Sequence, residues 1–297
     1  MDIKGFTPKK VEKITEDFKR IFGIRALMLF LSKYEITPAE SVRIWKSWGH
    51  LSIDMIKENP FVLCSESIGV EFERADGIRE DLSYPEEFTA RIKSGIEYVL
   101  KHNTGNGHTC LPLEKVLSAA QGLIDVEHDR IQNELDRMLE EEELHAETFG
   151  GRTFLFLPYM YTAETYIAGR ISMILNFMPD NGTVWEAEID TLETVQGLHY
   201  ASLQREAIAK AMSNGLLVMT GGPGTGKTTT LNAMIELFEQ QAYKVAITAP
   251  TGRAAKRIAE LTGKEAKTIH RLLEVDFSSD TGPKFKRGEK TRWIATL

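Results

Sequence analysis

Residues 216–240 read LLVMTGGPGTGKTTTLNAMIELFEQ, and this stretch decides the class of the second half of the chain. The apolar run Leu216 to Thr220 predicts a short strand, and Lys227 to Gln240 predicts a helix. Between them, Gly221-Gly222-Pro223-Gly224-Thr225-Gly226-Lys227-Thr228 fits the phosphate-loop pattern G-x-x-x-x-G-K-[ST]. Such a loop wraps a triphosphate so closely that a Cβ would clash, and its amides and the dipole of the following helix supply positive potential. In this pattern Lys227 reaches the β- and γ-phosphates and Thr228 holds Mg²⁺ through its hydroxyl. Gly222, Gly224, Thr225, Gly226 and Thr229 complete the expected nucleotide site.

Downstream, Lys244 to Thr248 predicts a second strand and Arg253 to Leu261 a second helix, the start of a parallel sheet with crossover helices. Upstream, residues 176–197 are polar, contain Pro179 and Gly182, and predict a linker. The N-terminal part reads as short helices from Thr7 to about Leu100. Thr7-Pro8 and Thr37-Pro38 each place a capping residue before a first-turn proline. Ile3-Lys4-Gly5-Phe6 and Ile68-Gly69-Val70 read as tight turns whose amides are free for an anion, an arrangement that resembles the helix-hairpin-helix module. Residues 113–123 and 127–144 predict two helices, followed by a hairpin turning at Gly150-Gly151, which together suggest a winged helix. The expected domains are therefore 1–104, 105–175 and 198–297, joined by the linker 176–197. The fold class is multidomain, α plus α/β, ending in an incomplete RecA-like unit.

Composition narrows the partners. The chain has 297 residues, a formal charge of −7, 42% hydrophobic residues and two cysteines. That excludes a disordered or collagen-like chain, and no run reaches the roughly 18 apolar residues that span a bilayer. A cytoplasmic setting with no membrane partner is the expectation. Cys64 and Cys110 are too few for a metal knuckle or a disulfide framework and read as small buried hydrophobes; His108 beside Cys110 reads as structural. Residues 1–34 carry eight Lys/Arg against four Asp/Glu, and residues 243–297 twelve against six, whereas residues 125–147 carry ten acids against Arg130 and Arg137. A polyanion is therefore expected at the two ends, and the acidic 125–147 helix is expected to be scaffold or a protein-contact surface.

Several segments together resemble the superfamily 1 helicases, and most closely the RecD-like ATP-dependent DNA helicases: LQREA at 203–207, the phosphate loop, APTGRAAKR at 249–257 and TIHRLL at 268–273. The hairpin-rich front half and GHTCLPLEKVL at 107–117 also look like that family. The resemblance implies ATP and Mg²⁺, single-stranded and duplex DNA, 5′-to-3′ translocation, and unwinding by two closing RecA-like domains. It implies that Gln204 contacts adenine and that Pro250, Thr251, Gly252 and Arg253, with Lys256, hold single-stranded DNA. His270 is expected to pack or support the DNA side.

The family also carries an Asp-Glu pair on a later strand and a second RecA-like domain, neither of which is found within residues 1–297. Lys290 to Leu297 departs from the family's Asn-Pro-x-Asp. Codons for Asn-Pro-Met-Asp-Cys-Asp, stripped of their first base, can read Thr-Arg-Trp-Ile-Ala-Thr, which matches Thr291 to Thr296. The expectation is a frame shift near Lys290 and a fragment that ends before the Walker B strand, binding nucleotide and DNA weakly without unwinding. The alternative is a non-enzymatic DNA- or protein-binding module with a vestigial phosphate-loop domain. Other phosphate-loop ATPases, such as clamp loaders, fit less well, because APTGRAAKR and TIHRLL occur together.

Overall fold

A computed structural model describes residues 8–177, 184–276 and 284–288. Ile3 to Thr7 and the departing segment 289–297 lie outside the described residues. The chain divides into two compact units, Met1–Thr165 and Tyr166–Leu297.

The first unit opens with α1 (Pro8–Leu31), α2 (Pro38–Trp48), α3 (Ser52–Glu58), α4 (Phe72–Asp81) and α5 (Thr89–Gly105). Helix α2 begins where its capping residues dictate. Thr37 Oγ1 accepts from the Glu40 N–H at 3.3 Å, Glu40 Oε2 accepts from the Thr37 N–H at 2.7 Å, and Pro38 fills the first turn. Leu27, Leu31, Ile44, Ile56, Leu63, Ile68 and Ile78 form the core beneath these helices. The α1–α2 approach is close at Gly23, where an added Cβ would lie 2.0 Å from the Trp45 ring.

A second core in the same unit joins α5 to β1 (Cys110–Pro112), α6 (Leu113–Ile124), α7 (His128–Glu140), β2 (His145–Phe149) and β3 (Arg152–Phe156). The strands are antiparallel in the order β1-β3-β2, with Phe149 opposite Arg152. Gly150 and Gly151 have φ of +57° and +77°, the pair of left-handed residues that a two-residue hairpin requires. Helix α7 buries Ile131, Leu135 and Met138 at three- and four-residue spacing, keeps Glu134 buried beside them and paired with Arg137 at 3.3 Å, and turns Asp129, Asp136 and Glu140 outward. Lys93 of α5 pairs with Glu141 and Glu143, which removes part of that negative charge.

An ionic cluster locks α4 to α5 and α6. Arg79 and Arg91, both buried, donate from Nε to Asp76 Oδ1 at 2.7 Å each. Arg91 Nη1 also reaches the last carbonyl of α6, Ile124 O, at 2.7 Å. Burial pushes the Asp76 carboxyl up, but the hydrogen bonds from Arg91 and Arg79 outweigh it and hold the carboxyl below its usual range.

Helix α8 (Pro158–Phe177) follows, and the second unit continues with α9 (Glu186–Gln196), α10 (Ser202–Ser213), α11 (Lys227–Gln240), β4 (Ile247–Ala249), α12 (Gly252–Thr262), β5 (Ala266–Thr268), α13 (Ile269–Leu272), β6 (Val275–Asp276) and β7 (Lys284–Phe285). Three expectations change here. The predicted linker 176–197 contains α9, whose Ile189 and Leu192 enter the core with Ile208 and Leu237; two apolar residues in a polar stretch suffice when they share one face. Leu216 to Thr220 forms no ladder among the described residues, although Leu217 and Met219 pack on the core while Val218 is exposed. A run with strand alternation needs a hydrogen-bonded neighbour before it becomes sheet. The second strand lies at 247–249, not 244–248, and pairs in parallel with β5.

Candidate nucleotide site

The glycine-rich turn leads directly into α11, which starts at Lys227 as its sequence predicts. Gly224 and Gly226 have φ of +74° and +78°, where a side chain is strained. Gly226 has a second constraint: an added Cβ would lie 2.2 Å from Gln204 Nε2. Inside the turn, Thr225 Oγ1 donates to Gly222 O at 3.0 Å. Lys227 Nζ donates to Gly221 O at 2.6 Å and to Gly222 O, so the ammonium sits in the mouth of the loop. Thr230 is buried and closes the first turn by donating to Gly226 O at 3.1 Å. The Thr228 hydroxyl has no partner among the described residues, and Thr229 is exposed.

Gln204 meets this loop from α10. Its Oε1 accepts from the Ala201 N–H at 2.9 Å and its Nε2 donates to Thr225 O at 3.3 Å, so one amide bridges the start of a helix and the phosphate loop. The segment before it is held by residues that sequence reasoning missed. Glu193 of α9 accepts from the Tyr200 N–H at 2.7 Å and pairs with Arg205 at 3.0 Å, while Arg205 also reaches Asp190 at 2.7 Å. The Tyr200 amide, with His199 and Arg205 behind it, holds the Glu193 carboxyl below its usual range against the opposing effect of burial. Asp190 and Glu193 on one helix face, opposite an arginine beside Gln204, were the available signal.

The residues expected at DNA follow β4. Pro250 ends the strand, and Thr251 Oγ1 caps α12 by accepting from the Ala254 N–H at 3.2 Å. Gly252, Arg253, Lys256 and Arg257 are exposed, with Lys256 3.9 Å from Glu260. Gln204 and residues 221–229 come together, whereas no hydrogen bond joins 250–256 to them among the described residues. His270 is exposed, its ring 6.2 Å from that of Phe285.

The hairpin at 68–70 is corrected. The Ile68 and Gly69 amides donate to Ser65 O at 3.1 and 2.8 Å, and the Val70 amide to Leu63 O at 3.0 Å. These N–H groups close the turn itself and are not free for an anion. The thiols are quiet: burial pushes Cys64 up to about 12 and also raises Cys110. Among the described residues, no helix is long and apolar enough to cross a membrane.

Comparison with known proteins converges on one family. Residues 20–110 match the family model described as the ATP-dependent RecD2 DNA helicase HHH domain, and residues 204–295 match an AAA domain. The chain is 28% identical over 286 residues to the ATP-dependent RecD2 DNA helicase of Deinococcus radiodurans, covering 92% of this chain and 39% of that protein. It is 39% identical over 112 residues to the RecBCD enzyme subunit RecD of Mycolicibacterium smegmatis, covering 30% of this chain and 20% of the relative. Against the Haemophilus influenzae subunit RecD the identity is 43% over 61 residues, covering 19% and 9%. The chain thus spans about two fifths of the RecD2 relative and less of the RecD subunits. With a match to the RecD2 helix-hairpin-helix model ahead of a match to an AAA domain, the chain is similar to the RecD-like helicases along most of its length.

Proposed function

We propose that this chain forms the nucleotide-binding front portion of an ATP-dependent DNA helicase that moves 5′ to 3′ on single-stranded DNA. The observation that carries the reading is the Gln204 bridge to a phosphate loop whose lysine already points into its mouth. Phosphate oxygens replace the carbonyls of Gly221 and Gly222 as acceptors for Lys227, because a full charge attracts the ammonium more strongly than a dipole does. Gln204 sits where it can exchange Thr225 O for the edge of an adenine. The unpartnered Thr228 hydroxyl at the helix start fits a Mg²⁺ ligand, and the ion would neutralise charge on the phosphates. Catalytic roles therefore fall to Lys227 and Thr228, with Gly222, Gly224, Thr225, Gly226 and Thr229 shaping the site. Pro250 to Arg253 and Lys256 contact DNA phosphates at the carboxyl end of β4. Residues 105–175 act as a winged-helix-like scaffold, since the acidic α7 repels phosphate. Residues 1–104 form the helix-hairpin-helix domain, and residues 198–297, with α9 packed into their core, the RecA-like part.

For the 297-residue polypeptide by itself, nucleotide binding without unwinding is the expected outcome. The test is titration with a fluorescent ATP analogue and with a single-stranded oligonucleotide. Lys227→Ala should weaken nucleotide binding at least about tenfold, the loss of one charge-assisted contact. Arg253→Ala and Lys256→Ala should each weaken DNA binding and lower the salt slope by about one. ATP-independent DNA affinity that Lys227→Ala leaves unchanged, with no nucleotide binding at all, would move the reading to a DNA-binding module with a vestigial loop.

A further inference from the structure

Beside the turn at 65–71 lies a cleft of about 310 Å³ between that turn and α5. Val70, Phe72 and Tyr98 line its apolar part, and the half-exposed Tyr159 forms a wall. The Phe72 and Tyr98 rings pack with centroids 5.8 Å apart. The rim is acidic. Glu66 is exposed with no partner among the described residues. Glu71 has only Arg74 at 3.6 Å, and that guanidinium is closer to Glu40, at 3.2 Å. The cation at the rim, Lys101, is neutralised by Glu97 at 2.7 Å. An aromatic lining beneath surplus carboxylate attracts a cation carried on an apolar stem and repels phosphate. The turn's amides are already bonded within the turn, so they offer an anion nothing in compensation.

We propose that this cleft docks a basic, aromatic-bearing peptide segment of a partner protein, making the 65–71 turn a protein contact. At about 310 Å³ the cleft lies at the small end of ligand pockets and holds one or two side chains. The proposal is independent of the nucleotide site. It is tested on the full chain by fluorescence anisotropy with a labelled twelve-residue peptide carrying Arg-Trp-Arg in a Gly-Ser frame. A Glu-Trp-Glu peptide and a twenty-nucleotide oligo-dT are the competitors. The Arg-Trp-Arg peptide should bind, weaken as salt rises, and lose roughly tenfold in affinity with Glu66→Lys and with Tyr159→Ala, while both variants keep the parent's melting temperature. Glu-Trp-Glu should not compete. Absence of binding, equal affinity in both variants, or displacement of the peptide from the cleft by oligo-dT would overturn the proposal, the last by assigning the cleft to DNA.

Discussion

Replacing Asp76 by Asn keeps the shape of the side chain and removes the one charge that two buried guanidinium groups share. Asp76 Oδ1 accepts from Arg79 and Arg91 at 2.7 Å each, and Oδ2 accepts from Arg91 at 2.9 Å. The arginine side chains are 6% and 8% exposed and the aspartate 16%, so water cannot replace what is lost. Removing one partner of such a buried set costs about 3–5 kcal/mol, since it leaves uncompensated buried charge. For a unit of this size each kcal/mol is about 2–4 °C, so the first unit should melt roughly 10 °C lower in Asp76→Asn. Circular dichroism in urea and on heating measures it. The pH dependence gives an independent sign. A carboxyl with a depressed folded-state pKa contributes its stability above the unfolded value, about 3.9, and loses it as pH falls through the lower folded value. The gap between parent and variant should therefore be full at neutral pH and close only in acid below about pH 4. A loss under about 1 kcal/mol at pH 7, or a gap that widens in acid, would refute the assignment of this cluster as the lock between α4, α5 and α6.

Three other outcomes follow from the same structure. Gly226→Ala should lower nucleotide affinity at least about tenfold in the titration above, because its Cβ would displace Gln204 and its φ is strained. Thr37→Ala should cost about 1 kcal/mol in urea unfolding, the usual effect of losing a helix cap, because Glu40 would keep only its own half of the reciprocal bond. Cys64, its thiol pushed up to about 12 by burial, should resist iodoacetamide at pH 8 in the folded chain and react once urea unfolds it, which mass spectrometry of the labelled peptide reads directly.

How much was legible beforehand differs from one segment to the next. The phosphate loop was, because its chemistry is local: glycines at positive φ, a lysine and a threonine at the start of a helix are consecutive residues with consecutive tasks. The cap at Thr37 and the Gly150-Gly151 turn were legible for the same reason, since their partners lie within three residues. Helix α9 was not, because its apolar face is two residues wide and becomes recognisable only against Ile208 and Leu237. The turn at Ile68-Gly69-Val70 showed its glycine in the sequence but not the fate of its amides, which depends on the carbonyls of Leu63 and Ser65 folding back over it.

The sequence by itself determined the phosphate loop and the helix that starts at Lys227, because both rest on backbone geometry and spacing within a few residues, and its motifs carried the family resemblance. Only the tertiary structure decided that Gln204 reaches Thr225, that Glu193 and Arg205 hold the segment before it, and that Asp76 serves two arginines. Those contacts join residues up to 21 positions apart, and around Asp76 burial sets their strength; nothing in the order of the letters states which side chains will meet.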